Sequence, residues 1–246
     1  MGHASWSARR VAGAVVLAAA LTAFAAAQAG ATSLFSENFD TFPPGSWVSV
    51  NNSAPPGTTD WFQGNSGVFA AQQGAGDSYA AANFNGADFG GNISNWLITP
   101  TLSLDNGQVF SFYTRTESPA DFGDRMQVRL SGNGSSTDVG TTDSSVGDFS
   151  NLLLDINPTA AASGYPDAWT LYSITLTGLS GPISGRLAFR YLVTDTSVNG
   201  NCIGVDTVAL SDSVATTPLP ATLPLFASGL GLLGMMARRR KRNPAL

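Results

Sequence analysis

Arg125-Met126-Gln127-Val128-Arg129-Leu130 alternates strictly between polar and apolar side chains, and Arg186-Leu187-Ala188-Phe189-Arg190-Tyr191-Leu192-Val193 repeats that pattern. Successive side chains of an extended strand point to opposite faces, so a period of two marks a strand with one face on a core. This reading puts Met126, Val128 and Leu130 inward, with Gln127 and Arg129 toward water. In the second stretch Leu187, Phe189, Tyr191 and Val193 point inward. Working outward, Val109-Phe110-Ser111-Phe112-Tyr113-Thr114-Arg115 is a nearly continuous aromatic strand, and Trp169 to Leu176 and Asn201 to Leu210 are further strands. Ser53-Ala54-Pro55-Pro56-Gly57 and Ser131-Gly132-Asn133-Gly134-Ser135-Ser136 have the composition of turns and loops. No helical stripe, βαβ rhythm, tandem repeat or heptad interrupts the series. The expected fold class is all-β, an antiparallel β-sandwich of the jelly-roll kind.

Both ends of the chain have a different character. Arg9 and Arg10 precede an apolar run from Val11 to Ala27, and Ala27-Gln28-Ala29 and Ala29-Gly30-Ala31 fit the small-x-small pattern of a cleavage site. Residues 1–31 therefore read as a signal peptide, its helix removed before Gly30 or Thr32. At the other end, residues 214–246 hold Thr217-Pro218-Leu219-Pro220-Ala221, an apolar span over 221–237, and the basic cluster Arg238-Arg239-Arg240-Lys241-Arg242. A span of this length just crosses a thin hydrocarbon core as a transmembrane helix, with the cations left on the cytoplasmic side.

This ordered tail resembles the PEP-CTERM sorting signals of Gram-negative bacteria, in the variant that reads V-P-L-P-A; Thr217 stands where Val is usual. The resemblance implies recognition at the inner membrane by an exosortase-type enzyme and removal of the tail. Delivery to the cell surface or an exopolysaccharide matrix would follow.

Between the ends lies one domain-sized stretch, residues 32–213. It carries all seventeen carboxylates of the chain against five arginines, a formal charge of −12. Phosphate binding needs a basic footprint, so nucleic acid is an unsuitable partner. His3, the only histidine, leaves with the signal, and Cys202 is the only cysteine. The exported domain then has no imidazole for a Ser-His or Cys-His pair and no His/Cys set for zinc. No intramolecular disulfide is possible, and Cys202 reads as a free buried thiol.

A second resemblance spans Leu34 to Ser211. It is carried by Phe35-Ser36-Glu37-Asn38-Phe39-Asp40 with Pro44-Gly45-Ser46-Trp47, then Asn95-Trp96-Leu97-Ile98-Thr99-Pro100, then Asp124 to Ser131. Leu187-Ala188-Phe189-Arg190-Tyr191 and Cys202-Ile203-Gly204-Val205-Asp206-Thr207-Val208 complete it. In this order the segments are similar to the choice-of-anchor J domain, a relative of cleaved-adhesin and MAM-like jelly rolls; Cys202 stands where an aromatic residue is usual. The family implies a surface-delivered domain and, in jelly rolls of this broad type, a structural Ca2+. Glu37 in the first strand, Asp77 in a glycine-rich turn and Asp206 in the last strand are the ligands this resemblance suggests.

Asp138, Asp143 and Asp148 lack the dense ligand spacing of a calcium loop and read as a solvated acidic loop. Trp61, after Pro55-Pro56-Gly57, is the tryptophan expected to be exposed and to stack on a sugar ring, with Tyr165 second. The expected function is a non-enzymatic carbohydrate-binding or adhesin-like module with an exopolysaccharide or surface glycan as partner. The alternatives are a structural acidic matrix component and a glycosidase with a carboxylate pair; Glu37 and Glu117 are the only glutamates, and nothing around them marks such a pair.

Overall fold

A computed structural model describes residues 31–212. The expected signal helix and transmembrane helix lie outside the described residues, and among those described no helix is long and apolar enough to cross a membrane. The strands are β1 (Ser33–Glu37), β2 (Val48–Asn51), β3 (Ala54–Pro56), β4 (Phe62–Gln63), β5 (Ala80–Asn83), β6 (Ala87–Ile98) and β7 (Leu102–Leu104). They continue as β8 (Val109–Thr116), β9 (Met126–Ser131), β10 (Asn151–Ile156), β11 (Thr170–Thr175), β12 (Ile183–Val193) and β13 (Cys202–Ser211). Phe84–Gly86 forms a 3-10 turn between β5 and β6.

Two antiparallel sheets face each other. The first runs β11-β8-β13-β5-β4, with β1 also on β13; the second runs β10-β9-β12-β6-β2, with β3 on β6 and β7 on β12. The long strand β13 has β8 along one side, while the other side pairs with β5 over Cys202–Val205 and with β1 over Val208–Ser211. The changeover falls on an irregularity between Asp206 and Ala209, where Thr207 takes a left-handed φ of 50°. A bulge of this kind bends a strand and re-aims its side chains.

The core between the sheets matches the alternation in sequence. Met126, Val128, Leu130, Leu187, Phe189, Tyr191 and Val193 are all buried in it. Phe112 meets Phe189 edge-on at 4.9 Å, and Trp47 stacks on Phe189 at 6.5 Å. Two expectations are corrected. Ala54–Pro56 is a short strand on the edge of β6, a place where proline is tolerated because no ladder N–H is needed outward. The second sheet's outer face is also not simply wet. The connection from β9 to β10 folds over it and packs Val139, Val146 and Phe149 on Trp96, Ile98 and Ala188, so Gln127 and Arg190 are buried on the side opposite the core.

Candidate functional site

On the outer face of the first sheet the seam between β5 and β13 carries only small side chains. Ala81 on β5 and Gly204 on β13 lie there, on the side opposite their core-facing neighbours Ala80, Ala82, Ile203 and Val205. The space above them is filled from the 64–79 loop and from Trp169. Phe69 stacks on Tyr79 at 4.9 Å, and Trp169 meets both rings edge-on at 5.7 Å. Arg115 lays its guanidinium over Phe69 at 4.7 Å from the ring centre. A Cβ at Gly204 would meet Phe69 and Trp169 at 2.8 Å, so only glycine lets this aromatic layer rest on the strand. Tyr79 pins the loop through its hydroxyl, which accepts from Asn65 N–H and donates to the Asn65 carbonyl, both at 2.9 Å.

Beside this layer is a cavity of about 180 Å3. Its floor is Ala81, Cys202 and Tyr79, its apolar walls are Phe62, Val68 and Phe84, and its polar rim is Asn65, Asn83, Asn201 and Glu117. Phe84 is 46% exposed. The Asn83 side-chain oxygen Oδ1 accepts from the Thr59 hydroxyl and from Asn85 N–H, capping the 3-10 turn, which leaves its side-chain NH2 for the cavity. Among the described residues the Asn201 side-chain amide and the Glu117 carboxylate make no hydrogen bond, while the Asn201 backbone N–H donates to Asp124. Burial, with the Asp124 and Glu117 charges adding to it, pushes the Cys202 thiol up to about 12, so at neutral pH it is an unreactive part of the floor.

Trp61 does not face solvent. It is 3% exposed, lies in the core, and donates its indole N–H to the Asn95 carbonyl at 3.1 Å. The reason is parity: Phe62 opens β4 and pairs with Ala81, so Phe62 takes the outer face and its neighbour is turned inward. Tyr165 is buried as well, its hydroxyl sharing a 2.7 Å hydrogen bond with Thr114 Oγ1.

Glu37, Asp77 and Asp206 are likewise not assembled into a metal site, and among the described residues no three His, Cys, Asp or Glu are placed to hold an ion. Asp206 instead clamps backbone. Its Oδ2 accepts from Gln72 N–H at 2.8 Å and Gln73 N–H at 3.1 Å, and its Oδ1 accepts from Thr207 N–H at 2.6 Å. Glu37 accepts from Phe39 N–H at 2.8 Å, holding that residue in its left-handed conformation. The carbonyls of Phe39 and Asp77 both accept from Gln63 Nε2, at 2.9 and 2.5 Å. The Gln63 side-chain amide thus bridges the segment after the first strand to the Asp77 turn.

No family model and no curated protein matches the chain. Solved structures do. The likeness is to cleaved adhesin domains. The K1 domain of Lys-gingipain from Porphyromonas gingivalis W83 superposes with a TM-score of 0.52 at 22% identity, covering 73% of this chain and 98% of that one. The K2 domain of Lys-gingipain gives 0.50 at 17% identity, covering 72% and 98%. At such identities the agreement establishes a shared two-sheet fold and carries nothing about individual residues.

The sequence reading missed Phe62, Phe84 and the three asparagines. One signal was available: Ala81 and Gly204 are strand positions too small to fill an outer face, which leaves room above them for something else.

Proposed function

We propose that the domain is a non-enzymatic binding module, adhesin-like in fold, that engages a glycan through the pocket on the outer face of its first sheet. The observation that carries this reading is the composition of the pocket. Exposed Phe84 and half-buried Phe62 offer apolar surface to a sugar ring, while the Asn201 side-chain amide, the side-chain NH2 groups of Asn65 and Asn83, and the Glu117 carboxylate offer hydrogen bonds to its hydroxyls. The tight layer of Phe69, Tyr79 and Trp169 beside the pocket stiffens it before any ligand arrives. Among the described residues Glu117 is the only carboxylate lining the cavity, whereas glycoside hydrolysis needs an acid and a second carboxylate across the scissile bond. Binding without turnover therefore fits the site best.

Export completes the proposal. The signal at 1–31 sends the chain out, and the tail is processed by an exosortase-type enzyme at Pro218-Leu219-Pro220-Ala221 after transit through the inner membrane. The domain, of the choice-of-anchor J kind, is then left at the surface or in the matrix of a Gram-negative bacterium.

A glycan array followed by retention on the best polysaccharide tests the binding reading, with Phe84→Ala and Asn201→Ala as probes. Each loses one contact of about 0.5–1.5 kcal/mol, so each should weaken binding by roughly 2- to 10-fold without altering the melting curve. Unchanged retention in both variants would remove the pocket from consideration. Deleting residues 218–246 should release the domain from the cell surface; attachment that survives the deletion refutes the sorting reading.

A further inference from the structure

Arg190 is 3% exposed, yet it lines a second cavity of about 300 Å3 on the outer face of the second sheet. The cavity lies at the tip of the β9–β10 connection, and Asn92, Asp143, Ser144 and Thr194 border it. The guanidinium is held firmly. It stacks over Trp96 at 4.8 Å from the ring centre, its Nε donates to Ser94 Oγ at 3.0 Å, and its Nη2 donates to the Asp143 carbonyl. That uses two of its five N–H donors. Nη1 has no partner among the described residues and is not one of the fully enclosed unpaired atoms, and the residue it belongs to lines the cavity together with Leu192 and Val193.

Among the described residues no carboxylate forms an ion pair with this charge. Among the described residues the one ion pair is Arg125 with Asp155, and the Asp143 carboxylate is turned to Asn92 Nδ2 at 2.8 Å. A guanidinium this buried without an anion is held at a cost that a bound anion removes. The electrostatics agree: burial first, then Arg129 and Arg125 on the same face, bring Arg190 down to about 10, with Asp143 and Asp155 opposing only in part.

We propose that this cavity is a binding site for the carboxylate of an acidic sugar residue, forked by Arg190, with the Ser144 and Thr194 hydroxyls at its rim meeting the sugar hydroxyls. A planar two-oxygen anion matches the remaining donors of a fixed guanidinium. The volume exceeds by severalfold the roughly 30 Å3 of a water-sized species, so a lone inorganic ion leaves most of it unfilled. A single negative charge also meets less repulsion from the acidic domain than a multiply charged phosphate does. The site lies on the sheet opposite the aromatic pocket, and the proposal does not rest on that pocket.

The test titrates the full chain with sodium glucuronate, with glucose, sulfate and phosphate as separate arms at constant ionic strength. The melting temperature and the Arg190 Nε–H resonance are followed. Glucuronate should shift the resonance and raise the melting temperature by about 4 °C for each tenfold excess over Kd, while glucose does neither. Arg190→Lys keeps the charge and loses the fork, and should weaken the response at least tenfold. Ser144→Asp, at an exposed loop position, places a negative charge at the mouth and should abolish the response even if Arg190→Lys fails to fold. No response to glucuronate overturns the proposal, as does an equal or stronger response to sulfate or phosphate. A response that persists in Ser144→Asp overturns it too.

Discussion

Asp206→Ala offers the sharpest examination of how the first sheet holds its outer loop. Asp206 lies at the bulge where β13 changes neighbours, and its carboxylate takes three backbone N–H groups, two of them from Gln72 and Gln73. Truncation leaves all three donors unmatched. A hydrogen bond to a charged acceptor contributes about 1.5–3 kcal/mol, but the two loop donors can regain water if the Ala71–Gly76 segment lifts. The orphaned Thr207 N–H and the cost of lifting the loop remain. The expected loss is about 3 kcal/mol, a fall of roughly 6–12 °C in melting temperature for a domain of this size. Asp206→Asn keeps one acceptor oxygen and should lose about half as much. Urea denaturation followed by tryptophan fluorescence measures both variants. The same loop brings Asn65 and Val68 to the pocket proposed to take a glycan, so on that proposal Asp206→Ala should weaken polysaccharide retention as well. Millimolar calcium should not restore the lost stability, because the groups left unpaired are N–H donors. A loss below about 1 kcal/mol for Asp206→Ala, or an Asn variant as unstable as the Ala variant, refutes the clamp.

Two further outcomes are expected. Trp61→Ala should cost about 3–5 kcal/mol of stability, since it opens a cavity in the core and removes the hydrogen bond to the Asn95 carbonyl; a melting curve like that of the wild type would return Trp61 to the surface. Asp124 is buried, and burial raises its carboxyl above the usual 3.8 despite hydrogen bonds from Thr116, Tyr191 and Asn201. The folded state therefore holds its proton more tightly than the unfolded chain does. That contribution is fully present below about pH 3.8 and is lost as pH rises through the folded value. Relative to Asp124→Asn, the wild type should gain stability on going from about pH 7 to pH 4, and a flat or opposite difference refutes the assignment.

The alternation in 125–130 and 186–193 was enough to specify strands and to sort their core-facing residues, because a period of two follows from extended backbone alone. The acidic charge of the domain, the lone thiol and the patterned ends were equally plain, since composition needs no partner to be read. What periodicity cannot supply is the far side of each strand. Gln127 and Arg190 are buried because a connection rich in serine, threonine and aspartate carries Val139, Val146 and Phe149 back over the second sheet. A two-residue strand has no period to count, so whether Trp61 or Phe62 faces outward was decided only by the pairing of β4 with β5. Asp206 was visible as a notable carboxylate, but the N–H groups it holds come from a loop far away in sequence, and those donors make it a clamp on that loop. Local alternation is written into the chain because it depends on backbone geometry between neighbours. The two pockets depend on which distant segments meet above a sheet, and only the folded arrangement of the whole domain determines that.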